Sequence, residues 1–312
     1  MPTPTNETEM PQIPIPVPLP TPLRIRQRQE IDDLDSTFGN MMIDDSKRNV
    51  HFGDKDNYFL HTPYNQEIIK NLQAEEMKYV LSPNFLSARV INHEHRICMV
   101  DFLIKARHNL NLQYSTLHLS VRLMDRFVKL QPVTVSKYQL LALTCLFIAA
   151  KIEEINPPKI AQLIDLAGKK FSEFHFLGTE VIVLVELKFK IHMPTAMDFL
   201  DQFLLCVPNS ELMEAKGERV KTMCKYVLDK SLMDIQCVQW SASTIAAAAV
   251  MVAVDAVGKS CTKNKKRTDD GNRKKDFTIP DELLQHYTNH TKEHLIPCVQ
   301  RLCNVLRNGH RR

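Results

Sequence analysis

The sequence has little of what β-structure requires. Its 312 residues include only 8 glycines and one tryptophan, and no clear run of alternating apolar and polar residues occurs. Alternation is typical of half-buried strands, and glycine of the tight turns between them. Because helix-forming residues dominate instead, the composition predicts an all-α chain.

The chain also lacks the usual signatures of catalysis, metal binding and membrane insertion. It has no P-loop, GxGxxG, HExxH or GxSxG motif, and its eight cysteines form no CxxC pair. Its apolar runs fall short of the roughly 18 residues needed to span a bilayer. A net charge of +4 is too small to imply nucleic-acid or membrane binding. We therefore expect a binding module without metal or cofactor, and with neither nucleic acid nor membrane as partner. The thiols are expected to be mostly buried and reduced.

The chain divides into three parts by composition. Residues 1–22 hold eight of the 17 prolines, and we predict a disordered, proline-rich and charged tail over residues 1–61. Residues 62–192 are predicted to form an N-terminal helix and a first five-helix domain, and residues 193–312 a second domain. The predicted helices are 65–80, 92–108, 116–130, 137–152, 157–167, 172–188, 195–206, 211–232, 245–254, 280–288 and 291–307.

Two of these helices are apolar on nearly every side. From Leu140 to Ala150 only Thr144 is neither apolar nor cysteine, and the run Ile245–Val254 follows about 105 residues later. A helix without a polar face must be enclosed by other helices. Each domain is therefore expected to surround one buried helix. Capping pairs are predicted at Ser136 with Gln139 and at Thr195 with Asp198.

The first apolar helix ends in the charged sequence Lys151-Ile-Glu-Glu154. A lysine suits the negative end of a helix dipole, but Glu153 and Glu154 do not. A partner molecule, or a carboxylate on a neighbouring helix such as Glu180, would account for the lysine better than helix physics alone.

A basic stretch is predicted to form an exposed loop at 258–277. Two groups of lysine and arginine separated by Thr-Asp-Asp-Gly-Asn fit a bipartite nuclear import signal, and a solvated charged insertion is the alternative. The signal implies a nuclear location, with the cytoplasm as a second one. Its candidate residues are Lys263, Lys265, Lys266, Arg267, Arg273, Lys274 and Lys275.

Several motifs together resemble the cyclin family. They are Arg96-Ile-Cys-Met-Val-Asp-Phe-Leu103, Leu123-Met-Asp-Arg-Phe127, Ala149-Ala-Lys-Ile-Glu-Glu154 with Pro157-Pro158, and Pro194-Thr-Ala-Met-Asp-Phe-Leu200. The resemblance covers residues 64 to 307, and its nearest groups are the A-type and J-type cyclins, with the J-type favoured. It implies two tandem five-helix cyclin-fold domains preceded by an additional N-terminal helix.

The resemblance also implies a function without catalysis. A cyclin is the regulatory subunit of a cyclin-dependent serine/threonine kinase in cell-cycle control, and helps to select its substrates. Arg96 and Asp125 would form an internal ion pair. The implied kinase-binding residues are Lys151, Ile152, Glu153, Glu154 and Glu180.

A second implied surface is the groove in which cyclins bind RxL-type substrate or inhibitor peptides. Here the sequence departs from the family, because His95 replaces a usual methionine, Phe102 a usual tryptophan and Lys105 a usual acid. A lysine would repel the arginine of such a peptide, so we expect weak binding or a different motif. Met99 and Gln139 complete the groove, although capping competes with docking as the role of Gln139.

The sequence also allows two other interpretations. One is a kinase-independent cyclin-fold scaffold or transcription factor, for which a basic face on the domains themselves would be expected. The other is an all-α enzyme using the acidic cluster Asp32-Asp-Leu-Asp35, which falls in the predicted tail.

Overall fold

The computed structural model describes residues 63–207, 214–263 and 279–309, and these form eleven α-helices with no strand among them. The all-α prediction is therefore confirmed. The predicted tail at 1–61, the acidic cluster at 32–35 and the basic residues from Lys265 to Lys275 lie outside the described residues. The helices are α1 (Pro63–Glu76), α2 (His93–Leu110), α3 (Tyr114–Leu130), α4 (Val135–Glu153), α5 (Ile160–Leu166), α6 (Glu173–Glu186), α7 (Ala196–Phe203), α8 (Glu214–Met233), α9 (Ala242–Lys263), α10 (Asp281–Thr288) and α11 (Lys292–Gly309).

Each of the two predicted apolar helices lies in its own hydrophobic core. Every residue from Leu140 to Ala150 in α4 is buried, and α2, α3, α5 and α6 pack around this helix. Likewise, α9 is buried from Ser243 to Val250 and packs against α7, α8 and α11. Helix α1 precedes these two groups of five. The pattern agrees with the sequence prediction that one enclosed helix organises each domain.

Helix α4 is longer than the sequence suggested. It has 19 residues and a mean hydropathy of 1.4, so by length and composition alone it could cross a membrane. However, 67% of the apolar window is buried inside the protein. Its apolar surface is therefore covered by the surrounding helices of the first core.

Of the two capping pairs predicted from the sequence, one is confirmed and one is wrong. In α7, the backbone N–H of Thr195 donates to Asp198 Oδ2 over 2.6 Å, which confirms that capping pair. The predicted pair of Ser136 and Gln139 is wrong, because α4 begins at Val135 with Thr134 as its N-cap. Ser136 thus lies inside the first turn, where its hydroxyl contacts that of Thr134 at 3.1 Å.

The boundary of the basic segment also differs from the prediction. Helix α9 continues to Lys263, so residues 258–263 are helical rather than part of a loop. This extension follows from sequence, because no proline or β-branched run interrupts the helix after Val257.

The cysteines behave as small apolar residues of the cores. Cys145, Cys206, Cys224, Cys237 and Cys298 are buried and free, whereas Cys98 is exposed. Burial raises the pKa of the Cys206 thiol to about 12, which disfavours the reactive thiolate. The expectation that the thiols are mostly buried is confirmed for the described residues.

Helix α1 is attached to the second core rather than the first. Ile69 lies in that core, and the side chain of Gln73 donates to the carbonyl of Thr288 over 2.9 Å. At the end of the helix, buried Glu76 accepts from Ser243 N–H over 2.7 Å and from Ser243 Oγ over 2.5 Å. Since Ser243 is in the first turn of α9, Glu76 satisfies one of the free amide donors at the start of that buried helix.

Candidate partner-binding site

Lys151 and Glu180 meet at the surface of the first helix group. Lys151, in the last turn of α4, donates from Nζ to Glu180 Oε1 in α6 over 2.6 Å. Its ammonium also lies 4.0 Å from the centroid of the Phe147 ring. The lysine side chain is 42% exposed and that of the glutamate 12%. The pair is therefore fixed in position while its cation remains accessible to another molecule.

An exposed apolar surface runs along α6 next to this ion pair. Five large apolar side chains form it, each between 44% and 81% exposed, and we call them the α6 stripe: Phe174, Leu177, Val181, Ile182 and Val185. The opposite face of α6 carries Phe176 and Val183, which are fully buried in the first core. The helix is thus apolar on both faces, although only one of them is covered within the chain.

The sequence interpretation missed the α6 stripe. The sequence does indicate this surface, because the apolar residues of 173–186 lie on more than one side of the helix and cannot all face one core. Contiguous exposed apolar surface on a folded domain marks an interaction site. Ile155, just beyond the end of α4, is also exposed, at 92%.

Glu154 has an internal role that the sequence did not reveal. Its Oε1 accepts from the backbone N–H of Gln113 and from Thr116 Oγ1, each over 2.6 Å. These groups stand at the N-terminus of α3, where a carboxylate is favourable. Glu154 therefore links the end of α4 to the start of α3, and its negative charge is explained without a partner molecule.

The two residues between Lys151 and Glu154 are less exposed than the lysine. Ile152 packs against the first hydrophobic core, and Glu153 is partly buried at the end of α4. Of the five predicted kinase-binding residues, the structure thus brings Lys151 and Glu180 together as an accessible pair. The other three lie beside it.

Arg96 and Asp125 form a buried bidentate ion pair. Arg96 donates from Nε to Oδ1 over 2.8 Å and from Nη2 to Oδ2 over 2.7 Å, joining α2 to α3. Its Nη1 donates to the carbonyl of Leu232 in α8 over 2.8 Å. One guanidinium group therefore connects three helices drawn from both helix groups.

The residues of the predicted docking groove lie on α2 and at the start of α4. Met99 and Phe102 are partly buried and pack against the first core. Gln139 is half-buried, and since it forms no capping box its side chain is not committed to that role. Asn92 caps α2 by accepting from the backbone N–H of His95 over 2.9 Å, and His95 Nδ1 accepts in return from the backbone N–H of Asn92 over 3.3 Å.

The charge of Lys105 is paired within the chain, whereas the sequence predicted a free cation at this position. Its Nζ donates to Asp101 Oδ2 over 2.6 Å, one helical turn earlier. The neighbouring carboxylate offsets the charge that was expected to repel an arginine-bearing peptide. Repulsion at this end of the groove is therefore smaller than the sequence alone suggested.

Within the described ranges, no three side chains of histidine, cysteine, aspartate or glutamate come together as a metal site would require. The pair His93 and His95, the tightest histidine cluster in the sequence, lies in the first turn of α2, where His95 is engaged in capping.

The chain matches two domain families of known proteins. The cyclin N-terminal domain matches residues 67–192, and the cyclin C-terminal domain matches residues 194–312. Among solved structures, a viral cyclin from herpesvirus saimiri superposes with a TM-score of 0.61 at 16% identity. The match covers 76% of this chain and 96% of that one. At such low identity the superposition shows the fold, which is that of two tandem cyclin domains.

Curated relatives include B-type cyclins. G2/mitotic-specific cyclin-B1 of Oryzias latipes is 28% identical over 276 residues, which cover 88% of this chain and 62% of the relative. G2/mitotic-specific cyclin-B2 of Homo sapiens is 28% identical over 255 residues, covering 81% and 58%. The chain thus matches about three-fifths of each relative's length, and these relatives give no support to an A-type or J-type affinity. With both domain families matched over most of its length, the chain belongs to the cyclin family.

Proposed function

We propose that this chain is a regulatory subunit that binds and activates a cyclin-dependent serine/threonine kinase in cell-cycle control. The observation that carries the proposal is the accessible Lys151–Glu180 pair beside the uncovered α6 stripe. An apolar patch with a charged anchor at its edge is a typical composition for a protein interface.

The proposed mechanism is stabilisation of one kinase conformation. Lys151 and Glu180 would bond main-chain groups around the movable C-helix of the kinase, while the α6 stripe packs against the helix itself. Holding that helix inward lets the catalytic lysine–glutamate pair of the kinase form and frees its activation loop. The cyclin would supply the differential affinity that such a shift between two states requires.

The ion pair contributes little to the fold, so its loss can be interpreted as an effect on binding. Exposed or half-exposed salt bridges stabilise proteins by roughly 0–1 kcal/mol. Replacing Lys151 by alanine should therefore leave the cores intact. The same holds for Val181→Asp, since this side chain is 61% exposed in the unbound chain.

The test is a binding and activation assay against a panel of purified cyclin-dependent kinases. Lys151→Ala, Glu180→Ala and Val181→Asp should each weaken binding at least tenfold, or about 1.4 kcal/mol. Ile296→Asp is the matched control, because it places an acid at an exposed apolar position of α11, 43% exposed, outside the proposed surface. Full binding and activation by all three site variants would refute the proposal. A wild-type chain that binds no kinase would favour a kinase-independent scaffold.

We further propose that the groove around Met99 and Phe102 binds RxL-type peptides weakly and so contributes to substrate selection. Lys105→Glu restores the acid usual in the family, and Asp101 then no longer has a cation to pair with. The affinity for an RxL peptide should rise in this variant, as measured by fluorescence polarisation. An unchanged affinity would argue against an arginine-binding position at residue 105.

A further inference from the structure

A cavity lies between the two helix groups, away from the proposed kinase surface. It has a volume of about 70 Å³ and is lined mainly by one face of α3, by Tyr79 after α1 and by residues near the end of α8. Three arginines line it, Arg96, Arg122 and Arg126, with Asp125 as the one carboxylate of the lining. The space is enough for several water molecules or one small anion.

The three arginines differ in how well their donors are satisfied. Arg96 is paired with Asp125 and the carbonyl of Leu232, as described above. Arg126 lies over the Tyr79 ring, 4.7 Å from its centroid, and its buried Nε has no hydrogen-bond partner. Arg122 is partly buried and makes no hydrogen bond or ion pair within the described part of the chain, but unlike Arg126 it has no fully buried nitrogen without a partner.

The carboxylates nearest to Arg122 are bound elsewhere. Glu76, Asp125 and Asp198 contribute most to the electrostatic field at this guanidinium. Glu76 accepts from Ser243, Asp125 from Arg96 and Asp198 from Thr195. They balance the charge of Arg122 at a distance, but leave its N–H donors unused.

Unused donors at a partly buried guanidinium are costly. Burial lowers the pKa of Arg122, since the charged form has lost part of its hydration. Buried polar groups in folded proteins nearly always have a partner. Arg126 Nε is such a buried donor, and the guanidinium of Arg122 lies on the wall of the same cavity, so the two together can bind an acceptor from outside the chain, either water or an anion.

We propose that this cavity is a binding site for an oxyanion of about phosphate size, held by Arg122 and Arg126. Planar guanidinium groups match phosphate and carboxylate oxygens with paired, charge-assisted hydrogen bonds. The adjacent Tyr79 ring orients Arg126, and Asp125 keeps Arg96 from competing for the ligand. The site is independent of the proposed kinase function, because none of its lining residues belongs to the α6 stripe or to the Lys151–Glu180 pair.

A tryptophan in the cavity lining allows ligand binding to be followed by fluorescence. Trp240 is the only tryptophan in the sequence, and it lines the cavity. Inorganic phosphate titrated into the full chain at constant ionic strength should change the Trp240 emission in a saturable way. Sodium acetate forms a second arm, which separates a carboxylate ligand from a phosphate ligand, and sodium chloride measures the effect of salt alone.

Substitutions of the two arginines test whether the change in Trp240 emission arises from phosphate bound in the cavity. Arg122→Gln and Arg126→Gln should each weaken phosphate binding at least tenfold, as expected for the loss of about one charge-assisted hydrogen bond. Arg307→Gln, which removes an exposed arginine from α11, should stay within about twofold of wild type. If Arg122→Gln does not fold, Arg122→Lys keeps the charge, loses the planar fork and should still weaken binding.

The stability of the ligand-free protein tests the role of Arg122 independently of phosphate binding. Arg122→Met removes an unpartnered guanidinium, so without phosphate the variant should unfold at the same or a higher urea concentration than wild type. It should also lose the stabilisation that phosphate gives the wild-type chain. A Trp240 signal that chloride reproduces, or phosphate binding equal in Arg122→Gln and wild type, would overturn the proposal. Tighter binding of acetate than phosphate, with the same dependence on Arg122, would assign the ligand as a carboxylate.

Discussion

Three buried or partly buried carboxylates each connect parts of the chain that are far apart in sequence. Asp125 binds Arg96 across two helices, Glu154 caps α3 from the end of α4, and Glu76 caps α9 from the end of α1. Each replaces hydration by charge-assisted hydrogen bonds, which are about twice as strong as neutral ones. Removing one partner therefore costs more than the bond itself, because the other group is left buried and unpaired.

The Arg96–Asp125 pair gives the largest expected effect on stability. Asp125→Asn leaves Arg96, which is 1% exposed, as an unpaired buried cation. The free energy of unfolding should fall by about 3–5 kcal/mol, measured by urea denaturation. The double variant Arg96→Met with Asp125→Leu should recover much of this loss. A cost below about 1 kcal/mol for Asp125→Asn would show that the cation is hydrated after all.

A partly buried histidine, His290, predicts sensitivity to acid. His290 lies 3.0 Å from Ser243 Oγ, and burial, with a smaller effect of His294, lowers its pKa from 6.5 to about 4. The unfolded chain therefore binds this proton below about pH 6.5, while the folded chain does so only near pH 4. Stability that is present above pH 6.5 should decline as the pH falls toward 4, by roughly 1–3 kcal/mol.

The variant His290→Gln isolates this effect. It keeps a polar side chain near Ser243 but cannot be protonated, so its unfolding free energy should fall less between pH 7 and pH 4.5. The measurement is urea denaturation of both proteins at several pH values. Parallel curves would mean that His290 does not contribute to the pH dependence.

At the scale of elements, adjacent glutamates offer a matched test of the α1 attachment. Glu76 is 2% exposed and caps α9, whereas Glu75 is a surface residue that pairs with Lys78 and accepts from the Tyr79 hydroxyl over 3.2 Å. Glu76→Ala should lower the free energy of unfolding by about 1–3 kcal/mol, because it leaves the buried amide of Ser243 without its acceptor. Glu75→Ala should change it by less than about 0.5 kcal/mol.

The same pair of variants tests whether α1 detaches. Hydrogen exchange of the amides in Pro63–Glu76 should accelerate in Glu76→Ala and stay unchanged in Glu75→Ala. Equal protection of α1 in both variants would show that Ile69 and Gln73 suffice to hold this helix.

Most elements could be predicted from sequence because their causes are local. Helix period, the enclosed helices α4 and α9, and the Thr195–Asp198 pair all depend on residues within one or two turns. The error at Ser136 arose within the same range, where two adjacent hydroxyl residues offered alternative helix starts. The extension of α9 to Lys263 was missed since charge was interpreted as a loop signal, although lysine is a good helix former.

The contacts between elements could not be predicted, because they join residues that are far apart in the sequence. Glu154 bonds Gln113, 41 positions away, and Glu76 bonds Ser243, 167 positions away. No periodic pattern in the sequence indicates either pair. The Lys151–Glu180 pair came from family resemblance rather than from spacing. The α6 stripe was visible as an excess of apolar residues, but only the fold shows which face stays uncovered.

At the scale of the whole molecule, nuclear import remains a prediction from the basic cluster between residues 259 and 275. Changing all eight basic residues of the segment to alanine should move a fluorescent fusion from nucleus to cytoplasm. The cores should be unaffected, so thermal unfolding of the variant serves as the control. A fusion that stays nuclear after these changes would contradict the import signal, and the segment would then be a solvated insertion. The residues changed are Lys259, Lys263, Lys265, Lys266, Arg267, Arg273, Lys274 and Lys275.

The contact between Glu76 and Ser243 has a consequence for the order in which the molecule is completed during synthesis. The two residues are separated by 167 positions, and a second anchor of α1, Thr288, is 215 positions from Gln73. The first group of helices, ending at Glu186, leaves the ribosome before either anchor has been made. Helix α1 therefore leaves the ribosome well before the second group of helices, which supplies its partners among the described residues, beginning with Gln202 as the acceptor of Asn65.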